Sequence, residues 1–323
     1  GLENPGVEGF IEKELPKIQI YHACGSLDPW LDMNHIVRDY FLEHKDYFDY
    51  TYDEMENMIE FGGWHTAAIK SIDKIATAEC DGPAGVINFM TQHYGTSYCV
   101  EVMLAQTWSK EIAEKFGEAM GQEYADIDNY GWYGPAMDTH RSAFGGRNFE
   151  YYSEDPFLSG TLAASVTKGV QCHKGCGVTI KHFACNNQED NRMGVDVKIS
   201  ERTLREIYLR GFEIAVKEGQ PAAIMSSYNL VNGVHAANSK DLCTRIARTE
   251  WGFDGVIMSD WNTTVPEDGS VAWKCAAAGN DIIMPGNAED AESIREAYRN
   301  GDLTEEEIRS CAGRILELIS QLA

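Results

Sequence analysis

Past about residue 120, short apolar runs alternate with longer stretches whose apolar residues recur every three or four positions. The runs at 130–134, 178–183, 222–228, 255–260 and 281–285 read as buried strands. Helical patterns lie between them, near 156–171, 201–218, 239–250, 270–279 and 288–300. A last helix opens on a capping box, Thr304-Glu305-Glu306-Glu307, and carries the stripe Ile308, Cys311, Ala312, Ile315, Leu318 and Ile319. Another capping box, Thr51-Tyr52-Asp53-Glu54, precedes Met55, Met58 and Ile59 at helical spacing. Strand–helix alternation at this spacing predicts a parallel α/β sheet, either open or closed into a barrel. Residues 1–48 show no sustained period and carry turn signals at Asn4-Pro5-Gly6 and Asp28-Pro29. They read as a linker or the remnant of a neighbouring domain, with the barrel domain at 49–323.

The strand ends are where the pattern turns chemical. Val256-Ile257-Met258 runs into Ser259-Asp260-Trp261, and Val178-Thr179-Ile180 into Lys181-His182-Phe183. Ser226-Ser227-Tyr228-Asn229 ends the run between them. Asp81 sits in the turn sequence Cys80-Asp81-Gly82-Pro83, and Arg147 follows the glycines of Gly145-Gly146-Arg147-Asn148. Charged groups at the carboxyl ends of successive strands are how a parallel barrel builds a pocket. Acids, cations and amides beside Trp and Tyr suit a sugar: the polar groups meet its hydroxyls and an aromatic face covers its C–H face. Each residue alone has a plainer reading. Asp81 suits a turn cap, Arg147 an ion pair with Glu150 or Glu154, Lys181 with His182 a satisfied pair at the rim, and Trp261 packing. Only their joint placement argues for a site.

Composition narrows the partners. The chain is 43% apolar and 24% charged, as a folded protein with a large core would be. Asp and Glu outnumber Lys and Arg by 51 to 27, a net charge of −24. Such a surface repels phosphate backbones and anionic lipid, so neither nucleic acid nor membrane is expected as a partner. No apolar run reaches the ~20 residues that span a bilayer. Nine cysteines lie without paired spacing and read as reduced thiols, as in a cytoplasmic or anaerobic setting. Cys172 and Cys176 are the closest pair, but a structural zinc needs four ligands and no second cluster is near. No phosphate loop or G-x-G-x-x-G helix start is present, so no metal or cofactor is expected.

Five stretches together resemble glycoside hydrolase family 3, in its β-glucosidase and β-xylosidase branch. They are DGPAGV at 81–86, HRSAFGGRNFEYYSEDPFLSG at 140–160, KHFACNNQEDNR at 181–192, SSYNLVNG at 226–233 and SDW at 259–261. The resemblance implies a TIM-like (β/α)8 barrel, allowing for an irregular or incomplete first strand. It implies a retaining, exo-acting β-glycosidase with Asp260 as nucleophile, acting on a β-linked oligosaccharide or glycoside. Asp81, Arg147, Lys181 and His182 would hydrogen-bond the terminal sugar, Tyr228 would sit beside the nucleophile, and Trp261 would line the subsite. Met225 would form wall, and Arg192 would stand behind the residues touching sugar. If Lys181, His182 and Arg147 converge on Asp260, they are expected to lower its pKa.

This chain departs from the family pattern at Ile87, where many members carry an Arg. The general acid/base of this branch comes from a second α/β domain, so a partner domain of the same enzyme is expected. The loop at 184–189 lacks the His that serves another branch, and Glu154 and Glu189 read as structural. Two other readings compete: a sugar-binding barrel without useful catalysis, and an aldolase using Lys181 as its amine.

Overall fold

The computed structural model describes residues 76–88 and 93–322, with Met55, Ile59, His65, Thr66 and Ala68 upstream. All belong to the unit Tyr52–Ala323. The region 1–48 and the capping box at 51–54 lie outside the described residues.

A seven-stranded sheet forms the centre. Its strands, in chain order and in sheet order, are β1 (His65–Thr66), β2 (Thr77–Cys80), β3 (Gly131–Trp132), β4 (Gly177–Phe183), β5 (Ala223–Ser226), β6 (Val256–Trp261) and β7 (Ile282–Met284). Each pair from β2 to β7 is parallel, while β1 runs antiparallel to β2. The predicted barrel class is borne out, in an irregular form: the first strand is short and reversed, and among the described residues seven strands form the sheet. All five predicted strands appear within two residues of their expected limits. β4 shows why the apolar runs predict strands: all seven of its residues are buried, including Lys181 and His182.

Helices carry each parallel crossover. They are α1 (Glu101–Ala105), α2 (Lys110–Asp126), α3 (Pro156–Gln171), the composite α4 (201–219), α5 (Asp241–Glu250) and α6 (Ala272–Ala278), and α7 (Ala288–Asn300) and α8 (Glu305–Leu322) follow the last strand. Asp155 caps α3, accepting from the Phe157 N–H at 2.8 Å, and proline holds its first turn. Two departures stand out. The α4 segment widens into π turns at Leu204–Tyr208 and Ala215–Gly219, and α5 is π-wound throughout. A period-3.6 pattern cannot distinguish such turns from ordinary ones. The α2 helix and the strands β1 and β2 carried no pattern strong enough to be predicted.

The α8 helix forms as its sequence dictates. Glu307 N–H donates to Thr304 Oγ1 at 3.2 Å, and Thr304 N–H donates back to Glu307 Oε2 at 3.0 Å. Its stripe is buried at Ile308, Cys311, Ala312, Ile315 and Ile319. This helix covers the amino ends of the strands, where Ile315 and Ile319 line a small cavity with Thr77, Gly177, Ala222 and Met258. The opposite, carboxyl ends are left for chemistry.

Asp281 clasps the closed end. Its carboxylate is fully buried and accepts from Arg248 Nη2 at 2.6 Å, from Arg314 Nη2 at 2.6 Å and from the Ile257 N–H at 2.8 Å. One anion thereby ties β6, β7, α5 and α8. Removing it leaves two largely buried guanidinium groups facing each other. Asp281→Ala is therefore expected to lower unfolding free energy by about 3–5 kcal/mol in denaturant titrations.

Candidate active site

Asp81, Lys181, His182, Arg147, Asp260, Tyr228 and Trp261 converge at the carboxyl ends of the strands. Lys181, buried in β4, donates from Nζ to Asp81 Oδ1 at 2.9 Å and lies 4.0 Å from Glu150 Oε2. Glu150, also buried, pairs with Arg147 Nε. Arg147 reaches on to donate from Nη2 to His182 Nε2 at 3.0 Å. On the far side of the ring, His182 Nδ1 lies 3.0 Å from Asp138 Oδ2. The pairing of Arg147 with Glu150 foreseen as the plain reading exists, and Arg147 contacts the site residue His182 as well.

Two glycines make these contacts possible. Gly82 has φ +115°, and a Cβ there would meet the Gly85 carbonyl oxygen at 1.8 Å. Its N–H donates to Asp81 Oδ1 at 2.8 Å and orients that carboxylate. Gly146 has φ +90°, and a Cβ there would press on Glu189 at 2.8 Å. These loop glycines let the backbone at Arg147 approach the 186–192 loop.

Hydrogen-bond chemistry settles the state of His182. A guanidinium only donates, so Nε2 facing Arg147 must accept, and the ring proton sits on Nδ1 toward Asp138. The ring is neutral. Burial, then the positive charges of Arg147, Lys181 and Arg192, hold its pKa well below 6.5. Burial pushes the Asp138 carboxyl up to about 8, against the pull of the His182 and Asn186 N–H groups. For Asp81, burial raises the pKa, but the Lys181 ammonium and the Gly82 N–H outweigh it and leave the carboxylate below 3.8.

Asp260 stands apart. Its Oδ1 accepts from the Trp261 N–H at 2.7 Å. Its Oδ2 is buried, makes no hydrogen bond, and lies 3.8 Å from His182 Nε2. The expected lowering of its pKa is reversed. Burial raises it above 3.8, more than the Trp261 N–H, Arg147, Lys181 and Arg192 lower it. Part of the reason is that His182 carries no charge to contribute.

The Tyr228 hydroxyl donates to the Trp261 carbonyl oxygen at 2.7 Å, and the Arg192 guanidinium lies 4.5 Å from the Tyr228 ring centre. Arg192 Nη1 in turn donates to Glu189 Oε2 at 2.7 Å. Trp261 is half-buried at the end of β6. Met225 lies in the packed interior of β5, in register with Met258.

Asp138 was missed in the sequence, and Glu150 was foreseen only as a partner of Arg147, not of Lys181. Asp138 lies in an irregular segment without strand pattern, and Glu150 belongs to a stretch whose signal was its glycines. Glu189 is bound to Arg192 and Asn186, and Glu154 is exposed. Among the described residues no group of three or more His, Cys, Asp or Glu side chains is placed to hold a metal ion. Cys172 is exposed, while Cys176 is buried against the Gly121 carbonyl. No helix among the described residues is long and apolar enough to cross a membrane.

A parallel α/β barrel with an ionisable cluster at its carboxyl mouth is a class shared by many enzymes. Residues 71–318 match the Glycosyl hydrolase family 3 N terminal domain, and the chain belongs to that family. It is similar to β-glucosidase A of Butyrivibrio fibrisolvens, 46% identical over 210 residues, covering 64% of this chain and 24% of the relative. It is 37% identical over 284 residues to exo-α-(1→6)-L-arabinopyranosidase of Bifidobacterium longum, covering 84% and 37%. β-Glucosidase 3B of Thermotoga neapolitana, solved with α-D-glucose, superposes with a TM-score of 0.79 at 39% identity, over 88% of this chain and 42% of that one. The chain thus spans less than half the length of these relatives.

The neutral His182 makes a linkage prediction. The unfolded ring takes a proton near pH 6.5, and the folded ring only well below it. Below 6.5 the unfolded state therefore binds more protons, and this residue's contribution to stability is lost as pH falls. The expected slope is up to about 1.4 kcal/mol per pH unit. It is measured as the difference in unfolding free energy between wild type and His182→Gln, titrated downward from pH 6.5.

Proposed function

We propose that this chain is the nucleophile-bearing barrel domain, residues 49–323, of a retaining, exo-acting β-glycosidase of the β-glucosidase or β-xylosidase type. The observation that carries the reading is the orphaned oxygen of Asp260. A buried carboxylate oxygen without a donor is costly unless a reacting atom is meant to meet it. The names of the relatives, most of them β-glucosidases, support the same chemistry.

In this mechanism Asp260 Oδ2 attacks the anomeric carbon of the terminal sugar, and the C–O bond to the leaving group breaks. A glycosyl ester forms on Asp260, and water then attacks the same carbon and returns the carboxylate. Asp81 accepts from sugar hydroxyls, and Lys181 and Arg147 donate to them. His182 offers its Nε2 lone pair, shared with Arg147. Tyr228 and Trp261 hold the strand end that carries the nucleophile, and Met225 backs it from β5. The leaving oxygen requires a proton. We assign its donor to a second α/β domain of the same enzyme, in keeping with the partial length of the match.

A second reading, a sugar-binding barrel without useful turnover by itself, is favoured by the engagement of Glu189 and the exposure of Glu154. General acid catalysis is typically worth about 10²–10⁴-fold, so residues 1–323 alone would hydrolyse poorly while still binding monosaccharide. Rapid hydrolysis of a natural disaccharide by these residues alone would exclude it.

In the complete enzyme, Asp260→Asn is expected to lower kcat by about 10⁴-fold or more. A 2-fluoro glycoside should label the peptide carrying Asp260, read by mass spectrometry; near-normal turnover by Asp260→Asn defeats the proposal. A further expectation concerns pH. The nucleophile must be ionised, and its pKa is raised, so the acid limb of kcat/KM should lie above the ordinary carboxylate value of 3.8.

A further inference from the structure

His235 has no part in the chemistry above, yet its surroundings are specific. It follows β5 by a short loop and is buried at 8% exposure. Its Nδ1 lies 3.0 Å from the carbonyl oxygen of Tyr228, and its Nε2 lies 2.8 Å from the carbonyl oxygen of Asp268. Both partners are backbone carbonyls, which only accept. A neutral imidazole has one N–H, so one contact would be a hydrogen bond and the other would set lone pair against lone pair. The imidazolium donates to both.

The two carbonyls belong to segments that meet at the mouth. Tyr228 follows β5, and its hydroxyl donates to the carbonyl of Trp261, next to Asp260. Asp268 belongs to the loop at 262–270, which leads the chain away from Trp261 and exposes Val265. The far end of that loop is tied without any titratable group. Asn238 accepts from the Val271 N–H at 2.8 Å and donates to the Val271 carbonyl at 3.0 Å. Internal hydrogen bonds close it further, Gly269 to Pro266 at 2.8 Å and Ser270 to Thr263 at 3.0 Å. Thr264 Oγ1 donates to Asp290 Oδ2 at 3.1 Å, a carboxylate tie on the α7 side, while Asp268 is the tie to the β5 side.

The charged neighbours are few. Asp196 accepts from the Gly233 N–H at 2.9 Å, two residues before His235, and is paired with Lys198. Glu267 and Asp268 are exposed on the loop itself, and Arg192 covers the far face of the Tyr228 ring.

We propose that His235 is a positioning residue that works as a proton-operated strap, clamping the 262–270 loop to the Tyr228 segment when its ring is doubly protonated and releasing it when neutral. Its consequence for turnover rests on the glycosidase reading; the strap itself does not.

The test is hydrogen exchange of the 262–270 amides in the full chain, corrected for intrinsic exchange, while the His235 ring is followed by 15N NMR. As the ring gains its second proton, protection of the loop should rise about fivefold, the equivalent of roughly one net hydrogen bond. Amides of β4 should not change. His235→Gln should abolish that pH dependence, and His235→Asn serves if the first variant fails to fold. An identical pH dependence in wild type and variant overturns the proposal. So does a loop that stays equally protected while the wild-type ring is singly protonated, a result that needs no variant. In the complete enzyme, KM should fall with the same proton while kcat holds. If exchange responds as expected but no glycoside is hydrolysed, the strap stands and the glycosidase reading fails.

Discussion

The site depends on one buried ammonium. Lys181 sits inside β4 and tolerates burial because two carboxylates, Asp81 and Glu150, face it. An isolated charge at that depth would cost several kcal/mol and would lose its proton instead. Here the carboxylates outweigh burial, and the Lys181 pKa is raised. Each partner then has its own dependence. Asp81 is held by the Gly82 N–H, and Glu150 is shared with Arg147. Arg147 fixes the tautomer of His182, whose ring faces Asp260. The arrangement is a chain of paired charges that ends on one unpaired oxygen.

That ending distinguishes a site from a structural ion network. At the closed end of the barrel Asp281 meets two arginines and a backbone N–H. Both carboxylate oxygens there are engaged, with only Arg248 Nε left without a partner, and the result is a clasp. At the mouth the same kinds of residue leave Asp260 Oδ2 without a donor while its other oxygen is anchored. Glu101 is a second orphan, fully buried under the cluster with its pKa raised well above the usual range by burial. Asp260, at the end of its strand, is the orphan that lies beside the Lys181–Arg147–His182 cluster.

The raised pKa of Asp260 has the same origin. Cations within reach lower it, but burial raises it more. Counting basic residues in a motif predicts the opposite sign, because such a count treats His182 as a cation and ignores burial. The pair with Arg147 makes the ring an acceptor and removes that charge.

Much of the fold was legible in the chain itself. The runs feeding Lys181 and Asp260 are continuous and apolar, and buried parallel strands need such runs, so their ends were visible as ends. The Thr304–Glu307 capping box and the α8 stripe are local signals, and both appear as read. The resemblance of five motifs to one family added the barrel and named most of the cluster. What the chain could not express were relations between distant segments. The 44-residue separation of Asp138 from His182, the sharing of Glu150 between two cations, and the bridge from His235 to Asp268 arise only when strands are laid side by side. Sequence alone determined which residues can be buried and where strands stop, since those follow from local polarity and period. Tertiary structure decided protonation, the free oxygen of Asp260 and the neutral ring of His182, since charge state depends on neighbours and solvent that local pattern does not encode.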